Sequence, residues 1–181
     1  DFKNYLGYGD SLVPSLVVAG NGSLIPSDAA LADVLGKDGL SEVAIGRIPA
    51  QTAADLDAAL DKIKAYEADA GTWRQSALLV ADNPDTGGEF AMQSDALAAA
   101  MKLQVSKAYL GQMPVADVRL RLTEALTNGS LLVNYVGHAS SGQLASENLL
   151  NTKAVAALPA SSGLPIFAAL SCYAGNFGVA A

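Results

Sequence analysis

Cysteine and histidine are almost missing from this sequence, since each occurs once in 181 residues. A single cysteine permits no disulfide within the chain, so the fold requires no oxidising compartment, and the free thiol is either buried and inert or reactive. No group of cysteine, histidine and acidic residues has the spacing of metal ligands. The sequence therefore predicts no metal site.

Charged residues are also scarce, at 16% against 51% hydrophobic residues. This balance excludes a disordered chain and predicts strands that are buried on both faces. The formal net charge is −7, which argues against nucleic acid as a partner because a polyphosphate backbone would be repelled. Residues 154–181 carry no charge, but Pro159, Pro165 and Asn176 interrupt them, so we predict core and no membrane span.

The first residues include no starting methionine and no basic or signal-like apolar segment. We therefore expect a piece of a longer polypeptide, and the ends of the sequence do not indicate a location. The length of 181 residues predicts a single domain over residues 1–181.

Strand-like and helix-like segments alternate along the chain. Short apolar runs bounded by turn residues predict strands at 16–19, 43–50, 76–82, 105–110, 131–138 and 164–172. Periodic apolar residues and capping signals predict helices from an N-cap at Thr52 to before Gly71, and at 89–102, 115–127 and 152–158. Residues 25–42 are rich in turn residues and are predicted to be a loop. The alternation predicts an α/β domain with a mostly parallel sheet.

Two of the predicted strands end on the only histidine and the only cysteine, His138 and Cys172. The ligand crevice of an open parallel sheet lies beyond the carboxyl ends of its strands, so both side chains would face it. A thiol of pKa ~8.5 is only partly ionised near neutral pH. A neighbouring imidazole can take the thiol proton and later protonate a leaving amine. The main-chain N–H groups of Ala139 and Cys172 are the candidate donors to the oxyanion of such a reaction.

Each of the two residues also has an ordinary structural interpretation. His138 would then be a loop histidine with satisfied hydrogen bonds, and Cys172 a buried small hydrophobe. Two unique residues at two strand ends are an improbable accident, but composition and pattern alone leave both interpretations open.

Two segments carry a family resemblance, namely Asn-Tyr-Val-Gly-His-Ala-Ser at 134–140 and Ala-Leu-Ser-Cys-Tyr-Ala-Gly-Asn-Phe at 169–177. They resemble the histidine and cysteine boxes of the gingipain-type cysteine peptidases, relatives of the caspases and legumains. The resemblance implies a caspase-like three-layer sandwich, with His138 as general acid/base and Cys172 as nucleophile of an endopeptidase. Family members are typically secreted or attached to the bacterial cell surface. The family usually has glycine where this chain has Ala139, and alanine keeps the N–H but tolerates positive φ poorly.

The resemblance also implies a substrate-binding residue. In arginine- and lysine-specific members an acidic residue ahead of the histidine box binds the basic P1 side chain, and Glu89 lies closest to that place. The alternative is a solvated glutamate at a helix N-terminus. Asp82, at a strand end on the same edge, is the second candidate, with a capping role as its alternative. No cofactor is predicted for the reaction, and calcium in the acidic loops is implied by the resemblance only.

A polypeptide substrate and other domains of the same longer chain are the expected partners. Two other functions stay open. One is a non-catalytic, peptidase-like module that binds a polypeptide or supports assembly at the cell surface. The other is a sortase-like transpeptidase, in which an amine instead of water resolves the acyl-enzyme.

Overall fold

The computed structural model describes residues 13, 16–20, 24–36, 38–161 and 163–174. The chain divides into two compact units, one with the described residues up to Asp61 and one over Lys62–Ala174. Within the described part of the chain, no helix has the length and apolar character that a membrane crossing requires. The single domain predicted over residues 1–181 stays a prediction.

The first unit contains a short hairpin and a one-turn helix. Strand β1 (Val17–Ala19) pairs antiparallel with β2 (Leu24–Pro26), and helix α1 (Ala29–Ala32) follows. The chain then runs without regular structure through 43–50. The strand predicted there is wrong, and the loop predicted for 25–42 is wrong where β2 and α1 lie. Among the described residues no strand pairs with 43–50, and an apolar run without a partner strand does not form a strand.

Helix α2 (Ala53–Ala68) begins where the sequence predicts, behind a capping box. Thr52 Oγ1 accepts the N–H of Asp55 at 3.1 Å, and Asp55 Oδ2 accepts the N–H of Thr52 at 2.9 Å. This exchange satisfies two N–H groups that a helix start otherwise leaves unpaired. The predicted apolar stripe of α2 is not buried, since its members Leu56, Leu60 and Ile63 are 38–41% exposed.

The second unit is built on a parallel sheet. Its strands in chain order are β3 (Ser76–Ala81), β4 (Gln104–Tyr109), β5 (Leu132–Val136), β6 (Gln143–Leu144), β7 (Leu150–Asn151) and β8 (Ile166–Leu170). Four of them form the sheet in the order β4-β3-β5-β8, with every neighbouring pair parallel, while β6 and β7 form a separate antiparallel hairpin. The sheet confirms the strands predicted at 76–82, 105–110, 131–138 and 164–172, but the sequence did not predict the small hairpin.

Helices cover both faces of this sheet. They are α3 (Phe90–Ala100) and α4 (Val115–Asn128), while the short α5 (Thr152–Ala156) contacts β7 of the hairpin. Successive strand residues point to opposite faces, and alternate residues of β3 belong to two different clusters. The cluster on the α4 side includes Leu78, Val80, Val118, Leu122, Val133 and Tyr135. The cluster on the α3 side includes Leu79, Ala81, Phe90, Tyr109 and Val136. The predicted α/β class, with a mostly parallel sheet between helices, is confirmed.

Strand β8 departs from the prediction of a fully buried strand. It is the edge strand of the sheet, and its residues Ile166 and Leu170 are 58% and 64% exposed. A continuous apolar run is typical of a strand that is covered on both faces. Here the run lies at an edge of the sheet that the described strands form, and β5 is its partner among them. Similarly, β1 is exposed along its whole length, although a buried strand was predicted there.

Candidate active site

His138 and Cys172 leave the sheet side by side. Val136, the last residue of β5, is in register with Leu170, the last residue of β8. His138 lies two positions after Val136, and Cys172 lies two positions after Leu170. The separation of 34 residues between the paired strand residues (170 − 136) is therefore also the separation between His138 and Cys172 (172 − 138). The N–H of Gly137 donates to the carbonyl of Leu170 at 3.3 Å, which extends the pairing by one residue toward the site. The histidine and the cysteine therefore emerge from neighbouring strands at the same carboxyl edge.

Both side chains are accessible at this edge. Cys172 is exposed, and the His138 side chain is 53% exposed. The structural interpretation of Cys172 as a buried small hydrophobe is therefore wrong. Directly after Cys172 the chain turns through Tyr173, which has a φ of 58°, in the left-handed region that few non-glycine residues adopt.

The imidazole of His138 has a carboxylate partner. Its Nε2 lies 3.0 Å from Oδ2 of Asp85, in the loop after β3. The N–H of Gly87 donates to Oδ1 of Asp85 at 2.7 Å. That hydrogen bond is the main reason why the pKa of Asp85 is lowered, and the contact with His138 lowers it further. An ionised carboxylate only accepts hydrogen bonds, so Nε2 must carry the proton, and in the neutral ring the lone pair is on Nδ1.

Packing also restricts the ring of His138. The ring of Phe90 meets it edge to face, with the centroids 5.3 Å apart and an interplanar angle of 81°. Gly87 lies against it as well, since a Cβ there would be 3.1 Å from both Cε1 and Nε2 of the imidazole. The loop after β3 and the first residue of α3 thus hold the imidazole by one hydrogen bond and by close contacts.

The main chain of His138 is fixed separately, by the buried residues Asp82 and Tyr135. Oδ2 of Asp82 accepts the N–H of His138 at 3.0 Å. The hydroxyl of Tyr135 lies 2.6 Å from the His138 carbonyl oxygen and 3.2 Å from Oδ2 of Asp82. The other oxygen of Asp82 accepts the N–H of Asn83 at 2.9 Å. Asp82 is only 3% exposed. Its carboxylate therefore binds main-chain N–H groups in the protein interior, next to the candidate site.

The two remaining predicted site residues lie on the chain around these elements. Glu89 is exposed at the N-cap of α3, and its side chain makes no capping hydrogen bond. Ala139 directly follows His138, and among the described residues nothing accepts a hydrogen bond from its N–H. Ala139 does not have a positive φ. Among the described residues other than glycine, positive φ values occur at Ala145, Asn148 and Tyr173. The strain expected from alanine at this position is therefore absent.

Among the described residues one group of acidic side chains is compact enough to hold a cation, and it lies in the first unit. Asp33, Asp38 and Glu42 each offer a carboxylate oxygen, and these atoms all lie within 4.8 Å of one another. Such oxygens suit a hard cation like Ca²⁺. Two of these carboxylates already accept hydrogen bonds from main-chain N–H groups. Oε2 of Glu42 accepts the N–H of Val34 at 2.8 Å, and Oδ2 of Asp33 accepts the N–H of Gly39 at 2.9 Å.

Asp85 is the residue that sequence reasoning missed. A signal was present, because the stretch 83–88 joins turn-forming residues to the carboxyl end of a buried strand. Asp followed two positions later by glycine also favours a turn in which the aspartate side chain binds the chain ahead of it. What the sequence did not reveal is that β3 lies next to β5, which brings this turn to the imidazole.

Comparison with known proteins gave a family and two similar structures. The model of peptidase family C25 matches residues 1–180. The crystal structure of the Arg-specific cysteine proteinase gingipain R matches with a TM-score of 0.68 and 26% identity, over 87% of this chain and 38% of that chain. The complex of the pro- and mature domains of Porphyromonas gingivalis RgpB matches with a TM-score of 0.69 and 24% identity, over 87% of this chain and 39% of that chain. The chain thus spans about two fifths of the length of these structures. No curated protein sequence gave a match.

Proposed function

We propose that His138 and Cys172 are the catalytic dyad of a cysteine endopeptidase, and the premise of this proposal is that the chain belongs to peptidase family C25. The observation that supports it best is the register of β5 and β8, which sends the only histidine and the only cysteine from adjacent strands to one edge. The exposure of both side chains leaves room for a substrate beside them.

In the proposed reaction Cys172 acts as nucleophile. Nδ1 of His138 takes the thiol proton, and Sγ attacks the scissile carbonyl carbon, so that a C–S bond forms and an electron pair moves to the oxygen. When the tetrahedral intermediate collapses, the C–N bond breaks and His138 gives its proton to the leaving amine. Water then attacks the thioester with His138 as base, which releases the acid and restores the thiol. No step requires a cofactor.

Asp85 is a positioning residue in this proposal. Its carboxylate holds the proton on Nε2, which keeps the Nδ1 lone pair available to the thiol, and it stabilises the imidazolium that forms during the reaction. The N–H groups of Ala139 and Cys172 are the proposed oxyanion donors.

We propose a substrate with a basic P1 residue. Gingipain R, which this chain resembles, is named as Arg-specific. Glu89 is the better of the two predicted acidic residues for this role, because its carboxylate is exposed at the start of α3. Asp82 has both carboxylate oxygens occupied by protein donors, which favours a positioning role for it.

The partners and location belong to the same proposal. We expect secretion or attachment to the cell surface, and other domains of one longer polypeptide as partners, as in the RgpB complex of pro- and mature domains. Calcium, if the full-length protein binds it, would find suitable oxygens in Asp33, Asp38 and Glu42.

A thiol-directed peptide inhibitor with arginine at P1 tests the dyad. We expect covalent labelling of Cys172 in the full-length protein, and labelling at least about tenfold slower in His138→Ala, because the imidazole is what ionises the thiol. Mass spectrometry of the labelled peptide measures both. Equal labelling of the two proteins would count against the dyad. Binding without turnover would favour the non-catalytic module, and transfer of the acyl group to an added amine would favour the transpeptidase.

Replacement of Asp85 by asparagine is expected to lower kcat by about 10- to 100-fold. This is less than the ~10⁴-fold effect of a buried triad aspartate, because the pair here is half-exposed and screened by solvent. The pKa of Asp85 is lowered from 3.8, so its charge is present above that value and is lost only as the pH falls through the lowered pKa. At about pH 7 and above the carboxylate of Asp85 is therefore fully charged in the wild type, and the kcat values of the two proteins are compared there.

Asp95→Asn is the matched control for this variant. Asp95 lies on helix α3, and its side chain is about as exposed as that of Asp85. Its Oδ1 lies 2.7 Å from Nζ of Lys107 on β4. We expect its kcat to stay within about twofold of the wild type, since surface ion pairs contribute little. Equal kcat for Asp85→Asn and Asp95→Asn would show that Asp85 does not position the imidazole.

A further inference from the structure

We infer that the buried hydroxyl of Tyr135 is a positioning group for the oxyanion donor, the N–H of Ala139. The inference rests on the proposed function, and it assigns a task to a residue that neither touches the substrate nor belongs to the dyad. Tyr135 lies on β5 with no exposed surface.

The hydroxyl of Tyr135 acts on the carbonyl of His138. It donates to that oxygen at 2.6 Å, and the N–H of Ala145 donates to the same oxygen at 2.9 Å. Burial is the main reason why the pKa of Tyr135 is raised, so the hydroxyl keeps its proton. Two donors from the protein interior thus hold the His138 carbonyl on the buried side.

The planarity of the peptide unit carries this constraint to the next residue. The C=O of His138 and the N–H of Ala139 belong to one planar peptide unit, and in the trans form they point in opposite directions. When the C=O is held toward the buried hydroxyl, the N–H must point away from it. Among the described residues no acceptor takes this N–H, so it is left for a ligand.

Asp82 and Gly137 keep the arrangement in place. Asp82 fixes the N–H of His138 at 3.0 Å, so both ends of this residue's main chain are held by buried side chains. Gly137 makes the approach of the two side chains possible, because a Cβ there would lie 2.6 Å from the Tyr135 hydroxyl oxygen. A donor that is oriented before the substrate arrives requires no reorganisation during the reaction.

Tyr135→Phe tests the inference, because it removes the hydroxyl and keeps the ring. In the full-length protein we expect kcat/KM for an arginyl peptide to fall by about tenfold, which is less than the 10²–10³-fold loss of a complete oxyanion donor because Ala145 still holds the carbonyl. The inhibition constant of an arginyl peptide aldehyde, whose adduct carries the oxyanion, should rise by a similar factor. Alkylation of Cys172 by iodoacetamide forms no oxyanion, and its rate should change by less than about twofold.

Tyr109→Phe is the matched control, since Tyr109 is also a buried tyrosine whose hydroxyl meets a carboxylate, that of Asp95 at 2.8 Å. Its kinetics should stay within about twofold of the wild type. Equal slowing of alkylation and peptide hydrolysis in Tyr135→Phe, or no change in either, would overturn the inference.

Failure of the proposed function has a different signature. If the wild type cleaves no peptide and reacts with no peptide inhibitor, the peptidase proposal is wrong. The amide nitrogen and proton chemical shifts of Ala139 still report on the peptide orientation in that case. Shifts that are the same in the wild type and in Tyr135→Phe would then overturn the positioning role by themselves.

Discussion

Cys172→Ala is expected to lower the hydrolysis of an arginyl peptide by about 10⁴-fold or more, because loss of the nucleophile leaves only binding and oxyanion stabilisation. The fold should not change. Cys172 is exposed, and its thiol forms no disulfide. Steady-state hydrolysis and the thermal unfolding midpoint of the full-length protein measure the two effects.

The neighbouring serine offers a control for this variant. The side-chain oxygen of Ser171 is buried, and no hydrogen bond to it is present among the described residues. Ser171→Ala removes one oxygen atom next to the nucleophile, and we expect activity within about threefold of the wild type. If Cys172→Ala kept a tenth of the wild-type activity while Ser171→Ala behaved normally, another residue would have to be the nucleophile.

The positions of His138 and Cys172 could be predicted because they depend on regular structure. Apolar runs define the strands, and parallel strands end at one edge of a sheet whatever the details of their loops. The step of 34 residues between the two side chains equals the register step of β5 and β8 (166 − 132 = 34). Parallel pairing in this register brings the two strand ends to the same edge.

The residues that hold His138 in place depend on tertiary structure that the sequence pattern does not contain. Asp85 reaches the imidazole because β3 is inserted between β4 and β5, an order that the chain sequence leaves open. The inward direction of Tyr135 follows from strand alternation, but its hydrogen bond to the His138 carbonyl depends on the path of the chain after β5 ends at Val136. The same limit explains the error at 43–50, an apolar run that pairs with no strand in the part of the chain that the structure describes.

Gly137→Ala is expected to destabilise the protein and to disrupt the site together. Gly137 has a φ of 156°, which residues with a side chain rarely adopt, and a Cβ there would lie 2.3 Å from Cβ of Asp82. The obstacle is the stem of a buried side chain and not a flexible end, so the main chain must move. Overpacking and backbone strain together should cost about 3 kcal/mol, and thermal unfolding should begin roughly 6–12 °C lower for a protein of this size.

The same shift should reach catalysis, because Gly137 lies between the strand that ends at Val136 and the residue that carries the imidazole. A displacement of His138 and Ala139 by about 1 Å can cost 10²-fold in rate, and we expect a loss of kcat/KM of at least that size. Gly142→Ala is the control: this glycine follows in the same loop, and a Cβ on it would meet nothing within 4 Å. If Gly137→Ala unfolded and reacted like Gly142→Ala, the close approach of Asp82 and Tyr135 to the His138 main chain would not be what positions the site.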